Sequence, residues 1–133
     1  MATYPLSEAY ADGQVLTAAN VNSITEGVND IAFGVFNAQT GTTYTLVLSD
    51  VAKVISLTNA AAITLTVPTN ASVAFPVGTQ ILLYQGGAGQ VSVTSSDTIR
   101  SQGSKLKMNG QYSVCGLLKV AATEWVFFGN NVA

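Results

Sequence analysis

Two hydrophobic periodicities divide the chain. In "VNSITEGVNDIAFGV", residues 21 to 35, apolar residues return at steps of three and four: Val21, Ile24, Val28, Ile31 and Val35. That spacing lines one face of a helix and predicts a helix over 17 to 36. Thr17 suits its N-cap, and Ala18 and Ala19 suit its first turn. From "NAQTGTTYTLVLSD" onward the period falls to two, and the apolar positions are β-branched or aromatic, as strands require.

The strand pattern then repeats along the chain. Tyr44, Leu46 and Leu48 alternate with Thr43, Thr45 and Val47. "KVISLT" follows the turn "SDVA", and Ile63, Leu65 and Val67 alternate with Thr64 and Thr66 before Pro68. "FPVGT" precedes "QILLYQ", and "GGAGQ" joins that strand to "VSVTS" as an expected hairpin turn. A short strand at Thr98 to Arg100, a polar loop "SQGSKLKMNG" and a long pair in "QYSVCGLLKVAATEWVFFGN" complete the series, with "AAT" at 121 to 123 as the final turn. About eight short strands at this spacing predict a mainly β fold, an antiparallel β-sandwich of jelly-roll type. No βαβ alternation suggests a parallel sheet.

Ahead of the helix, residues 1 to 16 carry Tyr4, Pro5, Leu6, Tyr10 and a turn-like "ADG". They read as an extended docking arm whose aromatics seat on a partner. The expected organisation is an arm at 1 to 16, a helix at 17 to 36 and a β-sandwich domain at 37 to 133.

The helix is weak by itself. Gly27 and Gly34 interrupt it, and a helix-interior glycine costs about 1 kcal/mol relative to alanine. Placing Val21, Val28 and Val35 at heptad position a and Ile24 and Ile31 at d gives an unbroken β-branched seam, a pattern that leans toward three strands. Periodicity alone leaves two readings open: the stripe packs on its own β-domain, or it joins three copies about an axis.

Composition bears on that choice. Of 133 residues, seven are acidic and five basic, while 48% are hydrophobic. A solitary soluble subunit ordinarily shows more charge on its surface. Self-association reconciles the two, so the expectation is a homotrimer with Val21, Ile24, Val28, Ile31 and Val35 at the interface. The net charge is -2 without a basic run, which argues against nucleic acid and anionic lipid as partners. No secretory n-region and no continuous apolar stretch of about 18 residues is present, so the expectation is a soluble product of a cytoplasm, with no membrane partner.

Candidate chemistry is sparse. The chain has no histidine, the commonest general base and zinc ligand, and a single cysteine, Cys115, in the apolar run "SVCGLLKV". Cys115 reads as a small buried hydrophobe. Among Glu8, Asp12, Glu26, Asp30, Asp50, Asp97 and Glu124, a glycosidase would need two carboxylates about 5 to 9 Å apart across a groove, a disfavoured reading because the chain lacks room for a long substrate groove. Asp12, Asp50 and Asp97 sit in predicted turns, where carboxylates cap backbone N–H groups. "GGAGQ" lacks the lysine and following helix of a phosphate loop, and "NAS" at 70 to 72 is a chance glycosylation match. Trp125, Phe127 and Phe128 could form a sugar-stacking platform, but alternation puts Trp125 and Phe127 on one face, which favours the core. The expectation is no enzyme, no cofactor, no metal and no catalytic residue, with glycan binding a disfavoured reading.

Residues 43 to 94 together with 111 to 130 resemble a β-module of tailed-bacteriophage structural proteins. The resemblance is carried by Tyr44, Asp50, "ITLTVP" at 63 to 68, "PVGT" at 76 to 79, "GAGQV" at 87 to 91 and Trp125 to Gly129. The opening "ADGQVLTAANVNSI" is similar to a segment near the start of many phage tail and appendage proteins. The resemblance implies a trimeric virion structural protein with no catalytic residues. Because an arm, one helix and one β-domain leave no fibre shaft, the favoured expectation is a capsid cement or decoration protein. It would stabilise the outer shell by docking Tyr4, Pro5, Leu6 and Tyr10 against the major capsid protein or another virion protein. The alternative is a short tail-fibre or tail-adaptor subunit that contributes to host receptor binding.

Overall fold

Period-two alternation sends every second side chain to one interior, and the strands sort into two layers that share it. The structure, a computed structural model, describes residues 34 to 133. The strands are β1 (Phe36–Gln39), β2 (Thr43–Thr45), β3 (Val54–Leu57), β4 (Ile63–Thr66), β5 (Gln80–Gln85), β6 (Val91–Thr94), β7 (Thr98–Arg100), β8 (Lys107–Met108), β9 (Val114–Ala121), β10 (Glu124–Gly129) and β11 (Asn131–Val132). Single 3-10 turns lie at Leu48–Asp50 and Gln102–Ser104. One sheet has six strands in the order β1-β3-β5-β9-β10-β7, and the other has five in the order β11-β8-β6-β4-β2.

The mainly β class is observed, but the antiparallel jelly-roll connectivity is not. From β1 to β6 the chain crosses to the opposite sheet at every strand, so each return lays a strand beside its predecessor in the same direction. Phe36 pairs with Val54 and Val54 with Leu82 in one sheet, while Thr43 pairs with Thr64 and Thr64 with Ser92 in the other, all in parallel. These are stacked rungs of a two-sided coil, a solenoid-like arrangement. In it, a strand of the opposite sheet serves as the crossover that a helix provides in βαβ folds. β7 also pairs in parallel, with β10. Antiparallel pairing is confined to β5–β9, β9–β10, β6–β8 and β8–β11.

The rung corners explain "GGAGQ". Rather than a hairpin between β5 and β6, it is the passage from one sheet to the other. Its backbone lies directly on the corner of the rung before: Gly86 N–H donates to Leu57 O and Gly89 N–H to Asn59 O, both at 2.8 Å. A Cβ on Gly89 would collide with the carbonyl of Ala61, and one on Gly87 with the backbone of Asn59. Glycine is required here for close approach of two backbones. Asn59 Nδ2 in turn donates to Thr40 O at 2.8 Å, which ties three successive corners together.

Between the sheets lie Leu46, Ile55, Leu57, Ile63, Leu65, Val67, Phe75, Ile81, Leu83, Val91, Val93, Met108, Cys115, Leu117, Trp125 and Phe127. Phe75 meets Trp125 edge to face at 5.5 Å between ring centroids. Trp125 and Phe127 are core residues, so Trp125 is no sugar platform, and burial pushes the Cys115 thiol up to about 11.

The arm residues Tyr4, Pro5, Leu6 and Tyr10, and Val21, Ile24, Val28 and Ile31 of the expected seam, lie outside the described residues. The last residues of the expected helix do not continue it. Gly34 has φ 60°, the Val35 carbonyl accepts from Val54 N–H at 2.9 Å, and Phe36 opens β1. The β1–β3 ladder therefore claims Val35, the last residue assigned to the seam.

Candidate functional surface

The outward positions of the two sheets differ in chemistry. On the five-stranded sheet, register aligns Thr43, Thr64, Ser92 and Lys107 in one row and Thr45, Thr66 and Thr94 in the next. Hydroxyls cover this face, and each exchanges hydrogen bonds with water while its β-branched carbon suits the strand.

On the six-stranded sheet, the corresponding row is Phe36, Val54, Leu82, Gly116 and Phe128. The rows on either side hold Ala38, Ser56, Tyr84 and Val114, and Gln80, Leu118, Val126 and Arg100. Phe36 is 63% exposed, Leu82 45%, Val114 49% and Phe128 48%. The Phe128 ring packs against Gly116, where any Cβ would overlap it. Formal charge is confined to the margins: Lys53 just before β3, and the ion pair between Arg100 on the edge strand β7 and Glu124 at the start of its neighbour β10. A shallow depression of about 350 Å³, lined by Gly34, Ala52, Lys53, Val54, Gly78, Gln80 and Leu82, opens on this same face. Contiguous apolar patches of several hundred Å² on a soluble protein are often functional, which makes this face the candidate site.

Two buried polar clusters fix the domain beneath these faces. Asp50 is fully buried at the end of its 3-10 turn, and its carboxylate accepts from Asn37 Nδ2 at 2.8 Å, Tyr44 OH at 2.6 Å and Val47 N–H at 3.0 Å. Asn37 Nδ2 also donates to Tyr44 OH, and Gln39 Nε2 donates to Asn37 Oδ1. Burial and the hydrogen bond to Asp50 push the Tyr44 hydroxyl up to about 12. Every contact of Asp50 is structural, which agrees with the turn-capping role expected of it. Asp97 likewise accepts from Asn70 N–H at 2.7 Å.

Lys119 is the residue that sequence reasoning missed. It follows Cys115 and Leu117 on the inward face of β9 and is 1% exposed. Its ammonium donates to Asn70 Oδ1 at 2.7 Å and Phe75 O at 2.8 Å, and lies 5.8 Å from the centroid of the Trp125 ring. It thereby pins the connection between β4 and β5 across the mouth of the core. The period-two pattern already placed Lys119 inward, but its partners come from residues 44 and 49 positions away and left no local signal.

Among the described residues no group of three His, Cys, Asp or Glu side chains is placed to hold a metal ion, and no helix is long and apolar enough to cross a membrane. No protein-family model matches the chain, and no curated protein matches it.

Proposed function

We propose that the chain is a structural subunit of a tailed-bacteriophage virion, a homotrimeric cement protein that seats on the outer capsid surface and stabilises the shell. The observation that carries this reading is the apolar face of the six-stranded sheet, charged only at its margins, set against a hydroxyl-covered face on the other sheet. A subunit destined for assembly covers such a face, whereas an isolated one would expose it. The motifs shared with phage β-modules, Tyr44, Asp50, Ile63 to Pro68, Gly87 to Val91 and Trp125 to Gly129, supply the biological setting.

In this role the β-domain is the rigid body. The arm with Tyr4, Pro5, Leu6 and Tyr10 docks against the shell, and the Val21, Ile24, Val28 and Ile31 stripe contributes to self-association. Bridging neighbouring capsid subunits opposes the outward pressure of packaged genome.

Counting copies of the chain in purified virions tests the assignment. A cement protein occurs at the stoichiometry of the capsid lattice; the far lower stoichiometry of a tail would replace this reading with the tail-fibre or adaptor one. Deleting residues 1 to 12 should leave a folded protein that no longer attaches to capsids.

A further inference from the structure

We infer that the outer face of the six-stranded sheet, centred on Leu82 and flanked by Phe36 and Phe128, is an interface with a second copy of this chain. The inference rests on the self-assembly part of the proposed function and is independent of its virion setting.

Area is the first argument. Taking ~200 Å² for a fully exposed aromatic residue and somewhat less for an aliphatic one, the exposed fractions of Phe36, Leu82, Val114, Val120 and Phe128 amount to roughly 400 Å². The half-buried Val54, Tyr84, Leu118 and Val126 extend the same face. Together they give roughly 500 to 650 Å², above the ~500 Å² per partner, about 1,000 Å² in total, that a specific interface must clear.

Chemistry selects the occupant. A transient foreign partner is ordinarily met by a surface about as polar as the rest of the protein, with charges that steer encounter. The Phe36–Phe128 row and the Ala38–Val114 row carry no formal charge, the composition of a homo-oligomer interface. The chain as a whole holds only twelve charged residues, seven acidic and five basic, so a second copy offers the same charge-poor surface in return.

Preorganisation is the third argument. Leu82 and Gly116 stand on β5 and β9, inner strands of the sheet, and the Phe128 ring is seated on Gly116. These groups are held in place before contact, so little conformational entropy is lost on docking.

The test uses the full chain. Light scattering at micromolar concentration should give an oligomer for the wild type. Leu82→Lys, which places a charge at the centre of the face, should weaken association on the order of 30-fold or more, with the far-UV β signal and Trp125 fluorescence preserved. Phe36→Lys, on the edge strand, is the second variant and decides the matter should Leu82→Lys fail to fold. A monomeric wild type, or a folded variant of unchanged mass, overturns the inference. So does a result in which Ile24→Asp/Ile31→Asp dissociates the copies while Leu82→Lys and Phe36→Lys leave them together. A failed copy-number count with dissociation by Leu82→Lys removes the virion setting and retains the interface.

Discussion

The two outward faces of this domain arise from the same alternation and the same rung geometry, yet one is a ladder of threonine and serine and the other a row of Phe36, Val54, Leu82 and Phe128. Either face could have been solvated by hydroxyls at no cost to strand formation, since Thr and Val are similar in shape and both suit strands. The difference therefore reports what each face meets. Water satisfies the threonine face. The apolar face is left with a free-energy gain, about 25 cal/mol per Å², that is released when another apolar surface covers it.

The strongest challenge to the comparison strikes the core that both faces share. Lys119→Ala removes the ammonium that holds Asn70 and Phe75, leaves the Phe75 carbonyl unpaired and opens a void beside Trp125. Urea unfolding should show a loss of about 3 kcal/mol, which disturbs both faces together. A change confined to the apolar face comes next. Gly116→Val drives the Phe128 ring off its seat and should cost about 2 kcal/mol of stability as overpacking, with association weakened as well.

Alkaline pH distinguishes the interior from both faces. Tyr44 is raised from 10.0 to about 12 and Cys115 from 9.0 to about 11, so the native state holds these protons more tightly than the unfolded chain. Their contribution is complete below the unfolded values and is lost as pH rises through the folded ones. Unfolding midpoints should fall progressively between pH 9 and 12, and Tyr44→Phe should flatten the upper part of that decline. The smallest effect is expected on the hydroxyl face. Thr64→Lys should change stability by no more than about 0.5 kcal/mol and leave the molar mass untouched, in contrast to the same charge at Leu82.

Legibility in the sequence followed the range of the interaction. Gln80–Gln85 and Thr98–Arg100 were read with their observed bounds, and the inward placement of Trp125 and Phe127 came from alternation alone. β8 and β11, two residues each, are too short to show a period, and β1 was absorbed into the end of a helical pattern that a positive-φ Gly34 interrupts. Partner choice was the larger miss. "GGAGQ" satisfies the local requirements of a hairpin turn, and only the backbone of Asn59 to Ala61 pressed against Gly87 and Gly89 shows that it is a stacked corner. The rungs are of unequal length, so no fixed repeat announced them.

By itself, then, the sequence determined that residues 37 onward form short amphipathic strands, which side chains face inward, and that chemistry based on histidine or a cysteine cluster is absent. Those properties depend on residue type and local period. The tertiary structure decided which strands lie side by side and in which direction, that Lys119 finds its partners across the core, and that apolar residues from β1, β3, β5, β9 and β10 merge into one continuous face. Alternation assigns a residue to a side of its strand; only pairing over distance assembles those sides into a surface.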